Sequence, residues 1–267
     1  MNTSRRTLIL GSAAAFGGIL LSACSGGTGG SGEKVIRAGS TGQSYPNGFR
    51  EGDKLVGYDV ELLETAAKDL GYTVQWTTAE FSGIMGQLEA GRLDTVANNV
   101  AVTAARKEKF DFTATYAYLG AQVVTKADNT TIKTLEDLAG KTVSGVLGSD
   151  NLRRIEDWGK EHNVALKTRP YETRDAAMQD MIKGQVDAYI NSDGILHAEE
   201  KREGKTLFNY IGDPIGYDEI ALPFTRNTTT GDLRTKLSEV FEKMRGDGRL
   251  KALSEKYYGT DVTTKKS

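Results

Sequence analysis

Cysteine occurs once in 267 residues, at Cys24, so no disulfide can form within the chain and the fold must hold by burial. Histidine occurs twice, as His162 and His197, and no spacing of metal ligands surrounds either. Neither a Ser-His nor a Cys-His constellation appears, so the reading expects no metal and no cofactor. Proline is scarce at four residues. There is no fixed-period repeat, and no low-complexity tract after residue 32. Positive charge is not in excess either. Without Arg5 and Arg6 the chain carries 32 basic against 36 acidic residues, a charge near −4. That balance excludes nucleic acid, and a broad anionic surface, as the expected partner.

What is present begins with an address. Arg5 and Arg6 precede an apolar run from Leu8 to Leu21, rich in Gly and Ala and too short for a span of roughly 20 residues. Leu21-Ser22-Ala23-Cys24 ends it with small residues and a thiol, the side chains that a peptidase cut and a lipid attachment require. Residues 1–23 therefore read as a lipoprotein signal peptide and Cys24 as the site of lipidation, with an acyl chain such as palmitate as membrane anchor. Ser4-Arg5-Arg6-Thr7-Leu8 also has the form of a twin-arginine signal. Residues 24–32 form a Gly/Ser tether, with a reach on the order of 15 Å. The expected location is extracytoplasmic, lipid-anchored on the periplasmic side or outer face of the cell membrane.

From residue 33 onward, periodicity alternates between two and 3.6. Strands are expected over residues 35–38, 73–77, 95–98, 142–146, 164–168 and 187–190. Helices are expected over 59–70, from a cap at Ser82 to Gly91, over 104–109 after a Thr103 cap, and over 135–139, 151–162, 175–183, 194–203, 232–245 and 250–257. Strands alternating with helices imply an α/β protein with mostly parallel sheets, and two successive sets imply two lobes. Ligands bind beyond the carboxyl ends of such strands. The candidate segments are residues 40–45, 98–103, 147–151 and 191–194.

Several stretches carry a resemblance. Gly57-Tyr58-Asp59-Val60-Glu61-Leu62, Phe81-Ser82-Gly83-Ile84, Gly91-Arg92-Leu93-Asp94 and Thr103-Ala104-Ala105-Arg106-Lys107-Glu108-Lys109-Phe110-Asp111-Phe112 follow in series. Leu135-Glu136-Asp137-Leu138-Ala139-Gly140-Lys141 and Tyr257-Tyr258-Gly259 continue it. In order, these resemble the family 3 extracellular solute-binding proteins, the polar amino acid receptors of ABC importers. Asn98-Asn99-Val100 and the ending through Val262 are most similar to the cystine-binding members. The resemblance implies a type II periplasmic-binding-protein fold with two crossover hinge strands. Lobe one would span residues 33–121 and 220–267, and lobe two residues 124–217. It also implies a monomer that holds an amino acid, cystine or another polar one, and passes it to a permease.

The resemblance assigns the site residue by residue. Arg106 would hold the ligand's α-carboxylate through paired guanidinium bonds that lysine cannot make; the alternative is a surface pair with Asp111. Tyr45 and Phe81 would cover the ligand's apolar part, against an ordinary core role. Asn98, Asn99, Ala101 and Thr103 would present carbonyl and N–H groups, although many relatives carry a hydroxyl where this chain has Ala101. Ser149, Asp150 and Asn151 would meet the carboxylate at a helix start. Asp150 departs from the pattern, because a negative charge there must turn away or bind a ligand nitrogen. The ligand's amine falls to Ser192 or Asp193, and both stay open. Two other functions stand beside the receptor: an enzyme like cyclohexadienyl dehydratase on the same scaffold, and a sensing or interaction protein that no longer serves transport.

Overall fold

Apolar side chains every second residue make strands here, and every third or fourth make the helices that cover them. The computed structural model describes residues 34–226 and 228–265. The signal peptide, the tether and Cys24 lie outside the described residues. In chain order the elements are β1 (Lys34–Ser40), β2 (Gln43–Ser44), β3 (Gly48–Glu51), β4 (Lys54–Val56), α1 (Tyr58–Asp69), β5 (Tyr72–Thr78), α2 (Phe81–Glu89), β6 (Thr95–Val96), α3 (Ala104–Lys109), β7 (Phe110–Phe112) and β8 (Ala117–Lys126). They continue with β9 (Thr142–Val146), α4 (Asp150–Glu161), β10 (Lys167–Tyr171), α5 (Arg174–Ile182), β11 (Ala188–Ser192), α6 (Asp193–Glu203), β12 (Phe208–Ile211), β13 (Tyr217–Ile220), β14 (Pro223–Thr225), α7 (Thr228–Gly246) and α8 (Arg249–Tyr258). A single 3-10 turn, Glu136–Leu138, precedes β9.

One large sheet has the order β5-β1-β6-β14-β7 and the other β10-β9-β11-β8-β12, with β13 also on β8, while β2-β3-β4 form a small antiparallel sheet of their own. Where a helix separates consecutive strands, the pairing is parallel: β5, β1 and β6 in one sheet, β10, β9 and β11 in the other. The remaining strands join antiparallel. β8 serves both lobes. Its first residues pair only with β13, and its last pair with β11 and β12. β13 then leads into β14, which returns to the first sheet beside β6. β8 and β13 are thus the two strands that cross between the lobes.

Burial follows these sheets. The first lobe's main core gathers Tyr58, Tyr116, Phe224, Phe241 and Tyr258, with Tyr58 and Tyr258 edge to face at 5.2 Å. Each such side chain contributes roughly 1.5–3 kcal/mol by leaving water. Ile195 and Ala198 of α6 belong to the same cluster. The second sheet is covered on its two faces by separate clusters, one around Val143, Ile155 and Ile190, the other around Met178, Met181 and Tyr189.

Two local expectations change. Ser82 does not cap α2; the helix begins at Phe81 after Glu80, without a side-chain cap bond, and Ser82 lies exposed in its first turn. The strand expected over residues 164–168 runs three residues later, as Lys167–Tyr171. It contains Pro170, which an edge strand such as β10 accommodates. Among the described residues, no three His, Cys, Asp or Glu side chains gather as a metal site. No described helix is long and apolar enough to cross a membrane.

Candidate functional site

Each parallel strand ends on the same side of its sheet, and the two sets of ends border one cavity. Residues after β1 (Thr41, Gln43, Ser44), β5 (Glu80, Phe81) and β6 (Asn98, Asn99, Ala101) line it from the first lobe. Val146 at the end of β9, Ser149, Asp150 and Asn151 after it, Glu172 to Arg174 after β10, and Ile190 to Ser192 of β11 line it from the second. Arg106, Asp218 and Ile220 complete the lining. The space open to water centres is about 60 Å³, roughly four to six water positions.

The first-lobe wall is fixed by hydrogen bonds. Asn98 Oδ1 accepts from Thr41 N (3.0 Å), Thr41 Oγ1 (2.9 Å) and Ser40 Oγ (3.3 Å). Asn99 adopts the left-handed conformation, φ 55°, and its N–H donates to the Asp59 carboxylate. Asp59 is fully buried, and burial pushes its carboxyl up to about 7 against the opposing effect of that bond. Thr103 Oγ1 accepts the Arg106 N–H at 3.2 Å and so starts α3. From there Arg106 turns inward: Nη1 donates to Ala101 O at 2.9 Å and Nη2 reaches Gly148 O of the second lobe at 3.3 Å. Its guanidinium lies 5.6 Å from the centre of the Phe81 ring. Burial lowers its pKa, opposed by Asp150 and Asp218. Asp111 pairs with Arg226 instead, at 3.3 Å.

The second-lobe wall is made of helix starts. Gly148, φ 74°, turns the chain where a side chain would be strained, and Ser149 Oγ caps α4 through the Leu152 N–H at 3.3 Å. Asp150 accepts from Arg153 and, at 3.2 Å, from Arg154. Arg154 also binds Asp218 of β13, linking α4 to a crossover strand. Burial pushes the Asp218 carboxyl up to about 6, Arg154 holding it back. Ser192 Oγ sits between the walls, accepting from Asn99 Nδ2 (3.3 Å) and Asn151 Nδ2 (3.4 Å). Thr173 caps α5 at 3.1 Å, and Arg174, its first residue, donates from Nη1 to Tyr45 O (2.9 Å) and Asn47 Oδ1 (3.3 Å). Arg106, Ser192 and Arg174 thus hold the lobes together around the cavity.

Of the residues singled out in the sequence, Phe81, Asn98, Asn99, Ala101, Arg106, Ser149, Asp150, Asn151 and Ser192 line this cavity. Tyr45, Thr103 and Asp193 do not. The Tyr45 ring lies 4.4 Å under the Arg202 guanidinium and edge-on to Phe49. Thr103 acts as the cap already described. Asp193 Oδ1 accepts from Gly120 N (2.9 Å) and Gly194 N (2.7 Å), anchoring β8 to the start of α6. The negative charge of Asp150 is met by the two arginines of its own helix. Glu80, Glu172, Thr173, Arg174 and Asp218 were not singled out. The strand-end rule would have reached Glu172 to Arg174 had β10 been read three residues later. Asp218 follows no helix, so no comparable signal marks it.

Comparisons with known proteins place the chain in a family and agree with the fold. Residues 36–260 match the family described as bacterial extracellular solute-binding proteins, family 3. The probable amino-acid-binding protein YxeM of Bacillus subtilis (strain 168) is 45% identical over 246 residues, 91% of this chain and 92% of that protein. The L-cystine-binding protein TcyJ of Escherichia coli (strain K12) is 30% identical over 223 residues, 82% of this chain and 81% of that protein. An ancestral arginine-binding protein, solved with arginine bound, is 28% identical and superposes with a TM-score of 0.77 over 85% of this chain and 99% of that one.

Proposed function

This chain belongs to the bacterial extracellular solute-binding proteins of family 3, and from that premise we propose that it captures an amino acid between its lobes and hands it to an ABC importer, without turnover. One observation carries the reading. The Arg106 guanidinium lies half-buried in the cavity wall, and among the described residues it is bonded only to two carbonyl oxygens, with no carboxylate oxygen within 4.0 Å. A half-buried guanidinium without a carboxylate partner is ready for one, and a ligand carboxylate meets it through two parallel charge-assisted bonds. The start of α4 beside it favours the same charge. In this reading Asn98, Asn99, Ala101, Ser149, Asp150, Asn151 and Ser192 surround the amino acid head. Phe81 covers its apolar part. The amine goes to Ser192 and neighbouring carbonyl oxygens, since Asp193 is engaged elsewhere.

The finer proposal is cystine. It is supported by the likeness of the sequence around Asn98 and at the carboxyl end to cystine-binding members, and by the relative named for that ligand. We further propose division into lobes at residues 33–121 with 220–267 against 124–217, a monomer in solution, and tethering to the outer face of the membrane through lipid on Cys24. A thermal-shift screen of the chain against the twenty amino acids, cystine and cysteine tests the reading. A ligand at a hundred times its Kd adds about 2.7 kcal/mol. Arg106→Ala should abolish the shift. An undiminished shift in that variant would overturn the assigned site, and no shift with any compound would overturn the receptor.

A further inference from the structure

A second arginine, Arg174, lines the cavity, and the α-carboxylate leaves it unexplained. Only 9% of the residue is exposed. Its bonds go to two neutral oxygens, Tyr45 O and Asn47 Oδ1, both through Nη1. No carboxylate oxygen of the described residues lies within 4.0 Å of it. Arg154, also on the second lobe, meets both Asp150 and Asp218. An arginine buried this far is normally paired, because removing its charge from water is costly unless an anion replaces the water. Arg174 is also the first residue of the nine-residue α5, where N–H groups point outward and the helix dipole adds to the positive field.

The two guanidiniums stand at different strand ends. Arg106 bonds to the turn after β9, and Arg174 follows β10. They therefore address different parts of one ligand. The carboxylates around it are otherwise disposed: Glu80 accepts from Gln43, Glu172 is exposed, and of the buried carboxyls that feel its charge Glu199 pairs with Arg202 and Asp59 accepts from the Asn99 N–H.

We infer that Arg174 reads a second carboxylate, carried at the end of the captured amino acid's side chain. The ligand class is then amino acids with a distal carboxylate, cystine among them, and monocarboxylate amino acids are disfavoured. This rests on the receptor reading above. Arg174 is a specificity residue: Arg106 holds what every amino acid has, and Arg174 selects among them.

The test is titration calorimetry of the full-length chain with two ligand pairs. S-carboxymethylcysteine is set against S-methylcysteine, and cystine against the cysteine–cysteamine mixed disulfide, each pair differing only in the distal carboxylate. The expected result is a preference of at least about tenfold for the carboxylate member of one pair, lost in Arg174→Met and partly kept in Arg174→Lys. Because Arg174 also holds Tyr45 and Asn47, the ratio within a pair is read rather than either affinity alone. Binding of the monocarboxylate partners with equal affinity, or a preference that survives Arg174→Met, overturns the inference and leaves the receptor standing. Absence of binding by every compound in both the unaltered chain and the variants overturns the receptor reading, and the inference with it.

Discussion

Around Asn98 the restraints are hydrogen bonds between neighbouring strand ends of the first lobe, whereas Asp150 in the second is held by the guanidiniums of Arg153 and Arg154. The contrast separates two ways of preparing a binding wall. Short bonds between neutral groups respond little to salt and set the geometry before a ligand arrives. An ionic network is screened by salt and shifts its balance whenever a new charge enters. One wall is a template and the other is a counter-charge, so perturbing them should produce different symptoms.

The largest expected effect comes from Arg106, which touches both walls. Arg106→Ala should weaken ligand binding by about 3 kcal/mol, measured by calorimetry, since it removes the cation from a charge pair. Retention of tight binding would overturn the assigned site. Next, Arg154→Leu leaves Asp218 without its cation and should cost about 2 kcal/mol of stability, discounted because the arginine is one quarter exposed. The loss should shrink at high salt; a urea midpoint unchanged at any salt concentration would remove the ionic wall from the account.

Acidity offers a sharper division. Burial pushes Asp59 in the first lobe and Glu199 in the second each to about 7, Arg202 and Arg174 pulling Glu199 back. Unfolded carboxyls titrate near about 4. The folded chain therefore keeps these protons where the unfolded chain has lost them. Their contribution is fully present below about pH 4 and is lost as pH rises toward 7, at up to about 1.4 kcal/mol per pH unit for each group. Asp59→Asn and Glu199→Gln should each gain on the unaltered chain as pH rises through that window. Parallel melting curves at every pH would contradict both assignments. The smallest effects concern the helix starts. Thr103→Ala and Ser149→Ala should each cost about 1 kcal/mol in chemical denaturation. A cost at Ser149 alone would place the tighter geometric demand on the second wall.

Helix periods and strand ends were legible in the sequence because local patterns create them. Residues 104–109 and 142–146 could be read to the residue. The long strand β8 and the run β12, β13 and β14 were not, because no helix separates the last three and every one of them pairs with a strand distant in sequence. At the site, Arg106 was legible as a family position beside a capped helix. Arg174 was missed because Pro170 hid the end of β10. Asp150 could be seen as a departure, but the helical spacing that brings Arg153 and Arg154 to it was needed to explain it. Tyr45, and Asp193 as an alternative to Ser192, read as ligand contacts, and in the structure Tyr45 lies under Arg202 of α6 while Asp193 bonds to Gly120 and Gly194 at the start of that helix.

The path of β8 and β13 also fixes an order of events in time. The first sheet needs β14, which lies in its middle between β6 and β7, and β14 is made only after the whole second sheet. Its core needs Phe241 and Tyr258 as well. A chain emerging amino end first, from a ribosome or through a membrane channel, can therefore form its second lobe while the first still waits. Until β14 (Pro223–Thr225) arrives, the strands β5, β1 and β6 stand with the β6 edge bare. The half of the cavity that carries Arg106 is thus the last part of the molecule to exist.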